Sequence, residues 1–296
     1  MDSAHIKLSA SHAIHPSPMN YIGGKAKLLP QILPHFPENI TRFYDVFAGG
    51  ANVAVNSNAD QIVINDINCY VIEILQAFYQ QNLDDLLANI QFYIDQYQLS
   101  KDNKQGFLTL RQDYNRQKQP MMLYTLMCYS FNYQFRFNNQ HQYNNPFGTN
   151  RSQFSTILRQ KLIHFVHQLK SKQVAFSQLP FCELLTQTQF TADDFIYLDP
   201  PYFITTGSYN DGNRGFKDWT QEQEQEQKLH DCLDSLTRQK IRFAMSNVLV
   251  HKGKTNDLLI EWAKNYHVIH LNHNYSHSCY NTVKGSSKEV LITNYL

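Results

Sequence analysis

The chain has 296 residues, 42% hydrophobic and 17% charged, with 26 lysines and arginines against 25 aspartates and glutamates. That length buries a sizeable core, in one large domain or in a domain carrying an insertion, and the composition excludes collagen, disorder and secreted mini-proteins. No stretch approaches the ~18 consecutive apolar residues of a membrane span, and five scattered cysteines (Cys69, Cys128, Cys182, Cys232, Cys279), never in a CxxC pair, predict reduced thiols in a cytoplasm.

Residues 1–18 are polar, rich in His and Ser and without an apolar h-region, so a loose tail is expected there rather than a signal peptide. Short apolar runs then read as buried strands: FYDVF (43–47), QIVIND (61–66), FIYLD (195–199), IRFAMSN (241–247), HVIHLN (267–272) and EVLITNY (289–295). Helical patterns lie between them at 27–33, 51–56, 67–80 and 221–236. Strands apolar on both faces belong to parallel sheets covered by helices, so the alternation predicts a doubly wound α/β sheet.

The middle of the chain differs. From about 82 to 169 the pattern is helical and polar-aromatic, broken by Pro120 and by the run Asn144 to Gly148, and it reads as a second, mostly helical domain inserted into the first. Between Lys101 and Ala175 eleven basic residues face only Asp102 and Asp113, a net +9 in a chain of net +1, which leaves −8 elsewhere. Such asymmetry suits a polyanionic partner, or a plain solvated face.

Two constellations carry chemistry. Asp45-Val46-Phe47-Ala48-Gly49-Gly50 runs from a strand through a glycine turn into a helix, and the next strand ends in Asn65-Asp66, where an acid commonly accepts from ribose hydroxyls. Together they indicate a nucleoside-containing cofactor. The second is Asp199-Pro200-Pro201-Tyr202, directly after FIYLD. Proline donates no ladder hydrogen bond, so the carboxylate of Asp199 and the carbonyl of Pro200 stay free to accept at the carboxyl edge of the sheet. Two adjacent acceptors suit an exocyclic NH2 group, whose nitrogen gains positive charge as it attacks. Tyr202 offers a flat face for a base swung out of a duplex.

These pieces resemble the DNA adenine methylase (Dam-like, D12 class) family of S-adenosylmethionine-dependent N6-adenine methyltransferases, from Met19 to the end of the chain. Asn20 to Lys25 (NYIGGK) is similar to the family's N-terminal cofactor motif, Phe47 to Gly50 to its glycine motif, Asn65-Asp66 to its ribose-binding acid, and Asp199 to Tyr202 to its catalytic motif. Phe243 to Val248 and Glu289 to Tyr295 resemble later family strands. The resemblance implies a Rossmann-like sheet with S-adenosyl-L-methionine bound by Tyr21 (where the family usually has Trp), Lys25 at the methionine end, Phe47, Gly49, Asp66 and Asp199, with Phe181 to Glu183 flanking the cofactor's adenine. Asp199, Pro200 and Tyr202 would act on the target base. Asn132 to Asn138 and Asn144 to Gly148 resemble the base-reading segment, which implies DNA contacts from Arg136, Asn138, Asn144 and Pro146. Gln140 and His141 stand where the best-known members carry Arg-Gly, a departure that takes GATC specificity away from the expectation.

The domain expectation is a catalytic part at 19–81 plus 176–296 and a target-recognition insert at 82–175. Double-stranded DNA is the expected partner, with a cognate restriction endonuclease beside it and a monomer in solution. Amino-group transfer to cytosine N4 or RNA, a nucleotide-dependent oxidoreductase and a non-catalytic DNA-binding protein stay open. The polar loop from Thr205 to Lys217 reads as a lid, a DNA clamp or plain surface. His273, His277 and Cys279 lack a second half-site, so no metal site is expected.

Overall fold

The computed structural model describes residues 13–21, 23–205, 223–272 and 287–296. In chain order, α1 (Leu29–Ile32) precedes β1 (Arg42–Asp45), and α2 (Asn52–Asn56) leads to β2 (Gln61–Asn65). Five helices follow: α3 (Cys69–Gln80), α4 (Leu83–Gln96), α5 (Lys104–Gln117), α6 (Pro120–Tyr129) and α7 (Thr156–Lys170). Then come β3 (Gln173–Ser177), α8 (Phe181–Gln187), β4 (Asp194–Leu198) and α9 (Gln223–Arg238). The described elements end with β5 (Arg242–His251), β6 (Lys254–Thr255), α10 (Asp257–Ala263), β7 (His267–Leu271) and β8 (Lys288–Thr293).

The sheet runs β3-β2-β1-β4-β5-β8-β7, with β6 paired to β5 as a short hairpin. Strands β1 to β5 are mutually parallel, and β8 lies antiparallel between β5 and β7. This is a Rossmann-like α/β sheet whose strand order reverses between β1 and β4, and ligands of such sheets bind beyond the strand ends at that reversal. The apolar runs form the strands because both faces are covered. Every residue of β4 is buried, and Phe195 packs its ring 4.9 Å from Phe36, 5.7 Å from Phe43 and 5.8 Å from Tyr295.

Strand β3 escaped the sequence pattern. Its residues alternate between exposed and half-buried because it is the sheet's edge, and three of them precede the boundary expected at 176. Helix α7 packs on α2, α3 and β3, as the crossover into that edge strand. Nine of the ten residues of α6 are buried, so it is the apolar axis around which α3, α4 and α5 assemble. One core runs continuously from the sheet through α3 into these helices.

Residues 13–18, expected within a loose tail, are tied to α2. His15 N donates to Asn56 Oδ1 at 2.7 Å and Ser17 N to Asn52 Oδ1 at 2.8 Å. No helix among the described residues is long and apolar enough to cross a membrane. Phe195→Ala empties the centre of the aromatic layer, and a loss of about 3–5 kcal/mol in denaturant unfolding is expected with the secondary structure retained.

Candidate active site

Loops after β1, β2 and β4 converge at the strand reversal. After β1 the backbone turns with Gly49 at φ +48° and Ala51 at φ +57°. Gly49 is required twice over: its φ is left-handed, and a Cβ would sit 2.6 Å from Cδ1 of Tyr21, whose ring covers the turn. Gly49 N donates to Asp66 Oδ2 and Asn68 N to Asp66 Oδ1, both at 2.8 Å. Burial nevertheless lifts the Asp66 carboxyl to about 6, against the pull of those two N–H groups. Asn65 stitches the neighbouring loops, donating to Val46 O at 2.9 Å and Leu179 O at 3.1 Å and accepting from Leu179 N at 3.0 Å. The rings of Phe47 and Phe181 meet with centroids 5.7 Å apart.

Asp45, at the end of β1, was not singled out from the sequence although it opens the glycine motif. It is buried; Oδ2 accepts from Ala54 N at 3.2 Å, and Oδ1 has no hydrogen-bond partner among the described residues. Burial drives its pKa well above the carboxylate range, with Asp199 and Asp66 adding to the rise against the Ala54 N–H.

Asp199 stands where β4 ends. Lys25 Nζ lies 2.8 Å from its Oδ2 and 3.5 Å from Glu289 Oε1, and donates to Gly23 O at 3.0 Å. The Tyr202 hydroxyl donates toward Asp199 Oδ1 at 3.0 Å and Glu289 Oε1 at 3.1 Å, and its ring centroid is 5.1 Å from the Lys25 ammonium. Lys25, Glu289 and Tyr202 are only 5%, 4% and 8% exposed. Burial opposes the ammonium, yet the two carboxylates outweigh it and hold Lys25 above the ordinary lysine value. Burial raises the Asp199 carboxyl, Lys25 pulls it back, Glu289 pushes it up again, and the net shift is upward.

Two of the expected site residues make contacts that the sequence did not indicate. Lys25 has three donors, and in this structure they face Gly23 O, Asp199 and Glu289, so it anchors the carboxylate of the catalytic motif. Tyr202 turns its hydroxyl inward, with one side of its ring beneath Lys25. Glu289 is the residue that sequence reasoning missed. The available signal was an acid opening an otherwise apolar strand.

Within the insert, bridges Ser130↔Phe147 and Phe137↔Tyr143 close a hairpin. Phe135 and Phe137 are buried and Arg136 between them is exposed, an alternation that turns the guanidinium outward. Asn138 Oδ1 accepts from Gln140 N at 2.9 Å and Gln142 N at 3.0 Å, so its amide oxygen closes the turn. Asn144 Oδ1 is buried without a hydrogen-bond partner among the described residues, and Pro146 is exposed. The hairpin meets the N-terminal motif directly: Asn20 Nδ2 donates to Asn132 O at 2.7 Å. Residues 206–217 of the expected lid, and His273, His277 and Cys279, lie outside the described residues.

Comparison with known proteins now bears on this geometry. The model of D12 class N6 adenine-specific DNA methyltransferases matches residues 21–277. The chain belongs to that family. It is 54% identical over 279 residues to the type II methyltransferase M.FokI of Planomicrobium okeanokoites, covering 94% of this chain and 43% of that protein. It is also similar to the modification methylase StsI of Streptococcus sanguinis, at 48% identity over 98% of this chain and 44% of that one. The modification methylase LlaI of Lactococcus lactis subsp. lactis matches at 36% identity, over 94% of this chain and 43% of that one. The chain thus spans less than half the length of these relatives.

In this D12 class chain the turn at Gly49 and the ring of Tyr21 are mutually dependent. Gly49→Ala should cost about 1–3 kcal/mol in equilibrium unfolding. In the double variant with Tyr21→Ala the collision disappears and only the cost of the left-handed φ remains, so the two changes should be non-additive.

Proposed function

We propose that this chain transfers a methyl group from S-adenosyl-L-methionine to N6 of an adenine flipped out of double-stranded DNA, as the modification activity of a restriction-modification system. The observation that carries the reading is the Asp199-Pro200-Pro201-Tyr202 motif at the strand reversal, its carboxylate held by a buried lysine, in a chain of the D12 class family. The relatives' names as modification methylases support the biological role.

The donor set suits a cationic nucleoside. Asp66 is placed for ribose hydroxyls, Phe47 and Phe181 for an adenine ring, and the unpartnered Asp45 Oδ1 for an ammonium hydrogen. Bound there, the cofactor would supply a methyl group on a sulfonium, the S–C bond breaking onto sulfur as the N–C bond forms. The chain's own groups do the rest. Asp199 and the Pro200 carbonyl accept the two N–H bonds of the target amine and stabilise the positive charge growing on nitrogen. Tyr202 stacks on the base. The proton that the methylated nitrogen sheds has Asp199 as its nearest carboxylate.

The catalytic part is 19–81 with 176–296, and 82–175 reads the site, its eleven basic residues between 101 and 175 gripping phosphates. Arg136 points outward to guanine or phosphate. Asn144 and Pro146 line the same edge, while Asn138 shapes the hairpin through its own turn. A monomer acting in the cytoplasm with a cognate restriction endonuclease completes the proposal.

The decisive experiment incubates the protein with S-adenosylmethionine and unmodified genomic DNA, followed by single-molecule sequencing. N6-methyladenine confined to one short motif, and absent with Asp199→Ala, is the expected outcome; N4-methylcytosine, or full activity in the variant, overturns it. A second expectation follows from Asp66. Ribose hydroxyls bond best to the ionised carboxylate, and burial places its titration at about 6. Cofactor affinity should therefore rise as pH increases from 5 to 7 and level off above, and calorimetry on Asp66→Asn should show weaker binding without that rise.

A further inference from the structure

We propose that Gln142 is a specificity-determining residue of this chain, its side-chain amide reading the edge of an adenine in the major groove beside the contact made by Arg136. The proposal deepens the DNA-methylation reading above and rests on it.

The pairing register decides which side chains the hairpin offers. Phe137 bridges Tyr143, Asn138 N donates to Gln142 O, and Asn144 N donates to Arg136 O, both bonds at 2.9 Å. Arg136 therefore stands opposite Asn144, and Asn138 opposite Gln142. Side chains alternate along each strand, so these four share one face while Phe137 and Tyr143 share the other. That other face is buried, with Phe137 stacked on Tyr70 of α3 at a centroid distance of 4.5 Å.

The outer edge of the second strand is closed as well. Arg111 and Asn115 of α5, and Lys118 at its cap, have the i, i+4, i+7 spacing of one helix face. They bond the main chain at alternate hairpin residues: Arg111 Nη1 to Asn145 O at 3.4 Å, Asn115 Nδ2 to Tyr143 O at 3.1 Å, and Lys118 Nζ to His141 O. Asn115 Oδ1 in turn accepts from Tyr143 N at 2.7 Å. Backed by α3 and edged by α5, the ribbon presents the face of Arg136, Asn138, Gln142 and Asn144.

An amide reads adenine by accepting from N6–H and donating to N7 at once, so both of its ends must be open. Three amides share this face, and two are committed. Asn138 Oδ1 accepts from Gln140 N and Gln142 N, and Asn144 Oδ1 is buried. Gln142 is exposed, and its amide has no protein partner among the described residues. A two-stranded ribbon fits the major groove. Diagonal neighbours on such a ribbon, as Arg136 and Gln142 are, stand about 7–8 Å apart. That is close to two base steps of ~3.4 Å, so both side chains serve one short site.

Duplexes with a randomised core are selected for binding to wild type, Gln142→Ala and Asn138→Ala, each checked for folding by thermal melting, and sequenced. Wild type should select a motif with a required A·T pair at which Gln142→Ala accepts other bases. Discrimination at that pair should fall from roughly 10–100-fold to about 2-fold, the other positions staying as strict. Asn138→Ala should weaken every sequence alike and relax no single position; if it fails to fold, Gln142→Ala alone decides. A motif that Gln142→Ala leaves unchanged, a uniform loss in that variant, or relaxation at a G·C pair overturns the proposal. Relaxation of the same A·T pair by Asn138→Ala, or a wild type that selects no motif, overturns it too. The methyl-transfer reading is tested apart, by incubating wild type with S-adenosylmethionine and the selected duplex. Absence of N6-methyladenine there overturns that reading and leaves the assignment of Gln142 to stand for a DNA-binding protein.

Discussion

The buried ammonium of Lys25 is the constraint on which the site depends. A lysine with so little solvent must be paired, and removing its carboxylate partners would leave an uncompensated charge in the interior. Its partners come from separate elements: Asp199 from the end of β4 and Glu289 from β8. The loop that carries it is committed elsewhere too, with Tyr21 lying on the Gly49 turn and Asn20 bonded to Asn132 of the hairpin. The short stretch from Asn20 to Lys25 thus reaches the glycine turn, the Asp199 carboxylate and the hairpin that holds Asn132. None of the three can be moved without the others.

Charge is partitioned along the same lines. The cations of the chain concentrate between 101 and 175, while carboxylates gather in the crevice, where Asp199 and Glu289 pair with Lys25 and Asp45 lies close enough to feel both Asp199 and Asp66. A polyanion is attracted to the first region and repelled by the second. Under the proposed reading, phosphates stay at the basic face while a neutral base or a cation enters the acidic crevice. A net charge of +1 conceals this division, which appears only when the chain is read in segments.

What was legible in the sequence was whatever one element displays alone. The continuous apolar strands from FYDVF to EVLITNY each announce a strand covered on both faces, and Asp199 to Tyr202 announces itself by its prolines. Edge strand β3 was hidden because QVAFS alternates where central strands do not. Glu289 and Asp45 were hidden for another reason. Each is a single acid at a strand end: Glu289 gains its meaning only when Lys25, 264 positions away, and Tyr202, 87 positions away, are brought against it, and Asp45 only when Asp199 comes near. The tie of residues 15 and 17 to α2 was equally invisible, since it depends on the side chains of Asn52 and Asn56.

The hairpin around Asn132 shows the converse, local strain maintained by surroundings that over-determine it. Asn132 and Tyr133 are successive residues at φ +55°, a conformation costly for an asparagine and more so for a tyrosine. Four contacts hold them there. Asn145 Nδ2 donates to Phe131 O at 3.0 Å and to Gln134 O at 2.9 Å, Tyr133 bonds Arg151 O at 3.2 Å, and Asn20 bonds Asn132 O. Lys118, the residue that caps the end of α5, adds a clamp, its ammonium 5.6 Å from the ring of Tyr70 and 6.0 Å from that of Phe137. A segment so heavily fixed is suited to presenting Arg136 at a constant position, and one of its fixings is the loop that carries Lys25. Rigidity at the hairpin and rigidity at the Asp199 carboxylate are in this fold the same property, because they share a support.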